Sequence, residues 1–218
     1  SYVENKVSFF ESIFKMIDVY GLSCSFKEDV IPYTLKKEYP KTYYSKYNKY
    51  AYSRLKEDYN ASENKDVLKL YLLLIYGFNH MIRFNSRGAF NLPVGNVDFN
   101  KNVYDALSTY FQLQKGRDIT LSNKDFEEFI MGLDLSDESF VYLDPPYLIS
   151  MSEYNKMWTE ETEVRLYSLL DKLNERGIRF GITNLVYHKG KTNKIFLEWS
   201  KKYPAITINS NYISFNDN

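Results

Sequence analysis

The apolar run Phe140, Val141, Tyr142 and Leu143 passes directly into Asp144, Pro145, Pro146 and Tyr147, and this junction restricts the fold more than any other part of the chain. Four apolar residues before a turn signal read as a buried strand. Two consecutive prolines must end it, because they fix φ twice, remove two backbone donors and disfavour helical backbone at Asp144 and Pro145. The segments around this junction set the class. Helical periodicity over residues 160–175 and 194–202 alternates with strand-like runs at 178–184 ("IRFGITN"), at 118–122 ("DITLS") and at 205–209 ("AITIN"). Alternating strands and helices predict an α/β fold with a parallel sheet, whose site lies at the C-terminal ends of the strands.

The first half reads differently. Apolar residues at Val7, Phe10, Ile13, Phe14 and Ile17 predict a helix over 7–20 that stops at Gly21. One or two Tyr-rich helices follow Pro32 over 36–58, and a strongly apolar helix over 65–77 is expected to be capped by Gly77. Gly88, Pro93 and Gly95 punctuate a loop or irregular hairpin over 78–95, and a helix resumes over 103–114. With only nine Gly and six Pro in 218 residues, and 28 basic against 28 acidic side chains, the composition excludes disordered and collagen-like classes. The longest apolar stretch, 70–78, is too short to span a bilayer, and no leader pattern opens the chain. A soluble, cytoplasmic protein is expected. Cys24, the single cysteine, is expected to be an inert buried hydrophobe.

Zero net charge conceals an uneven distribution. Between residues 31 and 60, Lys36, Lys37, Lys41, Lys46, Lys49, Arg54 and Lys56 outnumber Glu38, Glu57 and Asp58 and are interleaved with tyrosines. Cations that replace counterions, beside hydroxyls that reach phosphate oxygens, suit a polyanion. A solvated helix pair with tyrosines packed inward accounts for the same pattern. Residues 125–144, by contrast, carry Asp125, Glu127, Glu128, Asp134, Asp137, Glu138 and Asp144 with no Lys or Arg.

The stiff loop after Leu143 has two readings. One is a turn in which Asp144 caps the next segment. The other is a preorganised unit in which the Asp144 carboxylate and the Pro145 carbonyl accept both hydrogens of one exocyclic adenine amine. That would favour a pyramidal nitrogen and expose a lone pair otherwise delocalised into the ring, with Tyr147 stacked on the base.

Four stretches carry a family resemblance: "GFNHMIRFNSRGAFNLPVG" (77–95), "ITLSNKDFEEF" (119–129), "FVYLDPPYLIS" (140–150) and "YNKMWTEETEVRLYSLLDKLNERGIRFGITN" (154–184). Together they resemble the Dam-type (D12 class, alpha-group) adenine-N6-specific DNA methyltransferases over nearly the whole chain. The resemblance implies a Rossmann-like class I AdoMet-dependent (S-adenosylmethionine-dependent) methyltransferase sheet with an inserted helical target-recognition domain. Residues 1–25 would be a helix of the catalytic domain, 26–114 the recognition domain and 115–218 the rest of the catalytic domain. It implies methyl transfer to adenine N6 in duplex DNA, at GATC or a related short site, with base flipping and without a metal.

The resemblance makes Asp144, Pro145, Pro146 and Tyr147 the catalytic turn. It gives Asp125 and Phe126 to the adenine of AdoMet, although a helix N-cap followed by a core aromatic explains that pair equally well from the residues alone. In the DNA-reading loop, Phe78 matches an inserting aromatic, Asn79 a phosphate or flip-stabilising contact, Met81 an apolar wedge, Arg83 the guanine reader and Pro93 a thymine-methyl contact. Asn85, Arg87 and Asn91 would shape the loop or touch phosphate, with Lys46 and Lys49 as further DNA contacts. His80 reads as a surface or phosphate contact, and Trp158 and Trp199 as packing. Implied partners are double-stranded DNA, with nucleoid association, and a restriction endonuclease encoded in the same genome; the protein is expected to be a monomer or weak dimer.

Two family features have no counterpart in these residues: a Gly-rich motif after the first strand for the methionine end of the cofactor, and an acidic residue after the second strand for its ribose. Glu4 is a poor match for the latter. The first strands are therefore expected to be absent here. A gap about two strands wide should separate the strand leading to Asp125 from that leading to Asp144, the residues being the ordered part of a longer protein. The alternative is a truncated, inactive homologue that retains DNA binding, and a more distant one a helical protein-binding adaptor.

Overall fold

In the computed structural model, helix α1 (Lys6–Tyr20) begins where Asn5 Oδ1 accepts from the Ser8 amide at 3.1 Å and ends at Gly21, whose φ of 74° lets its amide close on Ile17 and Asp18. The structure describes residues 5–28, 30–150, 155 and 157–208; Glu4 and Asn209 lie outside them. The chain divides into two compact units, Ser1–Thr120 and Leu121–Asn218. In the first unit α1 is followed by α2 (Tyr33–Glu38), α3 (Tyr43–Ala61), α4 (Val67–Ile75) and α5 (Lys101–Gln114).

Helical spacing decides which side chains the first unit buries. Phe10, Ile13, Ile17 and Tyr20 form the inner stripe of α1; Asn48, Ala51, Tyr52, Leu55 and Tyr59 form that of α3. They meet Leu68, Leu72, Leu73 and Ile75 of α4 in one core, each fully buried aliphatic contributing about 1.5–3 kcal/mol. Helix α1 thus packs inside the first unit. Phe26 stacks on Tyr104 of α5 with ring centroids 4.0 Å apart. Two buried polar side chains are matched: Asn48 accepts from Ser23 N at 2.8 Å and donates to Ser23 Oγ, while buried Asp98 accepts from Ser25 N at 2.6 Å. Cys24 is buried, and burial pushes its thiol pKa up, which keeps it the inert hydrophobe expected.

Gly77 does not cap α4. Its φ is −80°, and the residue is glycine because a Cβ would meet Leu73 O and Leu92 Cδ2, each at 2.5 Å. The role is close approach, not left-handed backbone.

The second unit contains α6 (Phe126–Met131), β1 (Phe140–Leu143), α7 (Glu160–Glu175), β2 (Arg179–Ile182), a two-residue ribbon of β3 (Tyr187–His188) and β4 (Lys191–Thr192), and α8 (Lys194–Ser200). Strands β1 and β2 pair in parallel, Phe140 with Arg179 through Leu143 with Ile182. The buried face of α7 (Leu166, Tyr167, Leu169, Leu170, Leu173) packs with Leu143, Ile178 and Trp199. The architecture is mixed α/β with a small parallel sheet. Among the described residues no helix is long and apolar enough to cross a membrane.

Two expected strands do not form. Among the described residues, 118–122 have no ladder partner, and Ile119 and Leu121 are exposed; 205–208 are likewise unpaired among them, with Ile206 and Ile208 in solvent. The β-forming composition was read correctly, but a strand exists only where a neighbour satisfies its backbone groups. The expected gap beside the strand leading to Asp125 therefore has no bank on that side. β1 pairs only with β2 among the described residues, and its outward Phe140 and Tyr142 stay exposed.

Candidate active site and nucleic-acid loop

The turn after β1 is held from three directions. Beyond the last ladder pair, Thr183 N donates to Leu143 O at 3.1 Å. The Thr183 hydroxyl donates to Asp144 Oδ1 at 2.8 Å, and the Tyr147 hydroxyl reaches the same oxygen at 3.0 Å. Asp144 Oδ2 takes no hydrogen bond from a described residue, and the carboxylate is exposed at the strand end. Further round the turn, Tyr147 O accepts from Ser150 N at 3.0 Å and from Asn155 Nδ2 at 2.7 Å, and Ile149 is buried beneath. Pro145, Pro146 and Tyr147 are half-buried. The arrangement presents an anchored carboxylate with an oxygen to spare, next to an aromatic ring.

Asp125 is the N-cap of α6: its Oδ1 accepts from Glu127 N at 3.0 Å and from Arg165 Nη2 at 3.1 Å. Arg165 also pairs with Glu127 at 2.9 Å and lies 5.1 Å from the centroid of the Phe126 ring. Phe126 packs on Trp158, centroids 5.9 Å apart. The cap-and-core reading of this pair is therefore what the structure contains, with the carboxylate still half-exposed. As the adenine end of a bound AdoMet requires an accessible acceptor beside an apolar ring, these residues fit that end.

Residues 78–95 form an irregular hairpin. Phe78 N donates to Pro93 O at 2.9 Å and Gly95 N to Tyr76 O at 2.7 Å, where a Cβ on Gly95 would meet Gly77 O at 2.6 Å. A short 3-10 turn (Phe78–His80) opens it; Phe78 is exposed, and Asn79 and His80 have φ of 53°. His80 Nδ1 lies 3.0 Å from Leu74 O, which makes the ring a local strut. Met81, expected as a wedge, is half-buried against the first core, and Pro93 is exposed. At the tip, Asn85 Oδ1 accepts from Arg87 N at 2.9 Å and Ala89 N at 3.1 Å, the loop-shaping role expected of it.

Arg83 is clamped across the hairpin: Nε donates to Asn91 Oδ1 at 2.9 Å, Nη2 to Asn91 O at 2.7 Å, and Asn91 N returns a bond to Arg83 O at 3.0 Å. A guanidinium held along one edge still has donors on its outer end. Lys46 and Lys49 are exposed on α3, with Lys46 Nζ 4.6 Å over the Tyr39 ring.

One cluster was not read from the sequence at all. Glu163 of α7 is fully buried and accepts from Trp158 Nε1 at 3.2 Å, Asn184 Nδ2 at 3.1 Å, Asn193 Nδ2 at 2.6 Å and the Tyr167 hydroxyl. Burial, reinforced by Glu163, pushes the Tyr167 phenol well above its ordinary pKa. Trp199 donates to Asp171 Oδ1 at 2.9 Å, so both tryptophans pack as expected and also donate. A glutamate at an inward helix position, with a tyrosine at i+4, was the available signal; two of its four donors, Asn184 and Asn193, come from 21 and 30 residues further on.

Comparison with known proteins places these features in a family. The family model described as D12 class N6 adenine-specific DNA methyltransferase matches residues 9–212. The chain is 34% identical over 182 residues to "Modification methylase StsI" of Streptococcus sanguinis, and 32% identical over 182 residues to "Type II methyltransferase M.FokI" of Planomicrobium okeanokoites. Each alignment covers 80% of this chain, and 27% and 28% of those proteins, so the chain spans little more than a quarter of their length. It is 30% identical to "DNA adenine methylase" of Escherichia coli (strain K12) over 61% of this chain and 49% of that protein.

Proposed function

We propose that this chain, which belongs to the D12 class of N6 adenine-specific DNA methyltransferases, carries the catalytic turn and the DNA-reading hairpin of an AdoMet-dependent enzyme that methylates adenine N6 in duplex DNA. The observation that carries the reading is Asp144, anchored through one oxygen at the end of a parallel strand with Tyr147 beside it. An adenine turned out of the duplex enters this turn. Asp144 Oδ2 accepts one N6 hydrogen and Pro145 O the other, which directs the nitrogen lone pair outward, and the Tyr147 ring stacks on the base. Bound AdoMet would supply an electrophilic methyl carbon, its sulfur leaving as a neutral thioether, and the surplus N6 proton would be lost to solvent past Asp144. Asp125 and Phe126 hold its adenine, and Asp144 borders its reactive end.

The hairpin supplies the reading of sequence. Arg83 donates to the major-groove edge of one guanine, Phe78 and Met81 fill space left by the turned-out base, Asn79 and Asn85 touch the backbone, and Pro93 packs on a thymine methyl. GATC or a related short site is the target. The wider sheet is Rossmann-like, with residues 26–114 inserted as a recognition domain between the helix 1–25 and the catalytic remainder 115–218. The relatives are named "Modification methylase" and "Type II methyltransferase", and the reading assigns this chain a DNA-modifying role, cytoplasmic and nucleoid-associated, opposite a restriction endonuclease.

The test is methyl transfer by the full-length protein, read by sequencing methylated bases in exposed DNA. N6-methyladenine at one short motif is expected. Failure to bind AdoMet in calorimetry, together with no methyl incorporation into any duplex, would overturn the reading.

A further inference from the structure

We propose that Thr183 is a positioning residue that sets the orientation of the Asp144 carboxylate and thereby presents Oδ2 to the base amine; the inference rests on the functional reading above. An exposed aspartate at a strand end is free to turn about both side-chain torsions unless something holds it. Two donors converge on Oδ1, and they are not equivalent. Tyr147 rides on the same turn as Asp144, so its hydrogen bond fixes the carboxylate relative to the turn alone. Thr183 comes from the neighbouring strand, and its amide is bonded to Leu143 O, one residue before Asp144. Its hydroxyl ties the carboxylate to the sheet.

The direction of that bond is also determined. A threonine hydroxyl has one proton to give. Tyr142 donates to Thr183 Oγ1 at 3.4 Å, which occupies an acceptor position and leaves the Thr183 proton for Asp144. The strand end that carries Thr183 is itself fixed. The next residue, Asn184, is locked by its side chain to buried Glu163 at 3.1 Å and to the Tyr167 hydroxyl at 3.0 Å. A buried network on α7 therefore reaches Asp144 through a single hydroxyl. With Oδ1 taken from two sides, Oδ2 is the carboxylate oxygen left without a donor among the described residues.

Thr183→Val keeps the shape and removes the donor, whereas Thr183→Ser keeps the donor and removes the methyl group. Both are made in the full-length protein, and their melting temperatures are checked against the unsubstituted protein. Crystal structures read the orientation directly: in T183V the Asp144 carboxylate should rotate away or occupy more than one orientation, and in T183S it should stay. In steady-state kinetics T183V should lower kcat tenfold or more with KM for DNA and for AdoMet within threefold, and T183S should retain at least half of kcat. An unmoved Asp144 in T183V, or a loss in T183S as deep as in T183V, overturns the proposal. If the unsubstituted protein transfers no methyl group the functional reading fails, and the two structures alone then decide whether Thr183 orients Asp144.

Discussion

Arg83 is held by a residue eight positions further along the same hairpin, whereas Asp144 takes one of its two hydroxyl donors from Thr183, just past β2 and 39 positions away. The guanidinium clamp is local, although the hairpin backbone is also braced from α3, where Asn60 accepts from Phe90 N at 2.8 Å and donates to Phe90 O at 2.9 Å. The hairpin's crossing depends on Gly77 and Gly95, its tip on Asn85, and its guanidinium on Asn91. The Asp144 turn depends on the β1–β2 pairing and, through Asn184, on a buried carboxylate in α7. A side chain proposed to read sequence is fixed by local geometry, and one proposed to act on a transition state by packing from across the second unit. Substitutions should therefore act on the Arg83 clamp chiefly from the hairpin and the α3 residues that brace it, and on the turn from far away in sequence.

The largest effect is expected at Asp144 itself. Asp144→Ala should abolish methyl transfer, by about a thousandfold or more, equivalent to roughly 4 kcal/mol in the barrier, while DNA binding stays within about tenfold, because the acceptor acts mainly on the transition state. Single-turnover rates and filter binding check both halves. A variant that keeps more than a tenth of the rate would remove the catalytic role of Asp144 and, with it, the contrast between the two loops.

Next in size is Glu163→Ala, which strands four donors, those of Tyr167 and Asn193 buried and those of Trp158 and Asn184 half-buried. About 3 kcal/mol or more of local stability should be lost, with faster peptide-resolved hydrogen exchange in residues 160–200 and unchanged exchange in the hairpin. Loss below about 1 kcal/mol would mean that the turn does not depend on distant packing.

The same contrast governs what could be read from the sequence. The inner stripe of α1, apart from exposed Val7, the Asp-Pro-Pro-Tyr turn and the hairpin are legible because each is written in residues within a few turns of one another. Strands at 118–122 and 205–208 were misread because local composition records β propensity and not whether a partner lies alongside. The Gly77 cap failed for a related reason, since its need for glycine comes from Leu92 fifteen residues on. Thr183 and Glu163 were invisible: a threonine in a strand and a glutamate in an amphipathic helix look ordinary until Asp144, Asn184 and Asn193 are brought to them.

A smaller and more selective effect is expected at the hairpin. Arg83→Ala should cost about 1–3 kcal/mol and relax preference at one base position. Asn91→Ala should act at that same position and less strongly, since it frees the guanidinium without removing it. Competition against duplexes substituted one base pair at a time distinguishes the outcomes. Equal weakening on every sequence would make Arg83 a phosphate contact and leave the clamp without a reading role.

The smallest effect, and the only one expected to be blind to sequence, belongs to α3. Lys46 and Lys49 are exposed and three residues apart, on a side of the helix away from the buried stripe of Asn48, Tyr52, Leu55 and Tyr59. Tyr39 lies under the Lys46 ammonium at 4.6 Å, a contact worth about 0.5–1 kcal/mol at an exposed site that holds the charge in place without neutralising it. Charges so placed contribute by releasing counterions from phosphates. Each Lys→Ala change should therefore weaken binding to all duplexes alike and lower the slope of log affinity against log salt by about 0.9. If the slope is unchanged, the lysines form a solvated helix face, and DNA contact in the first unit is confined to the hairpin.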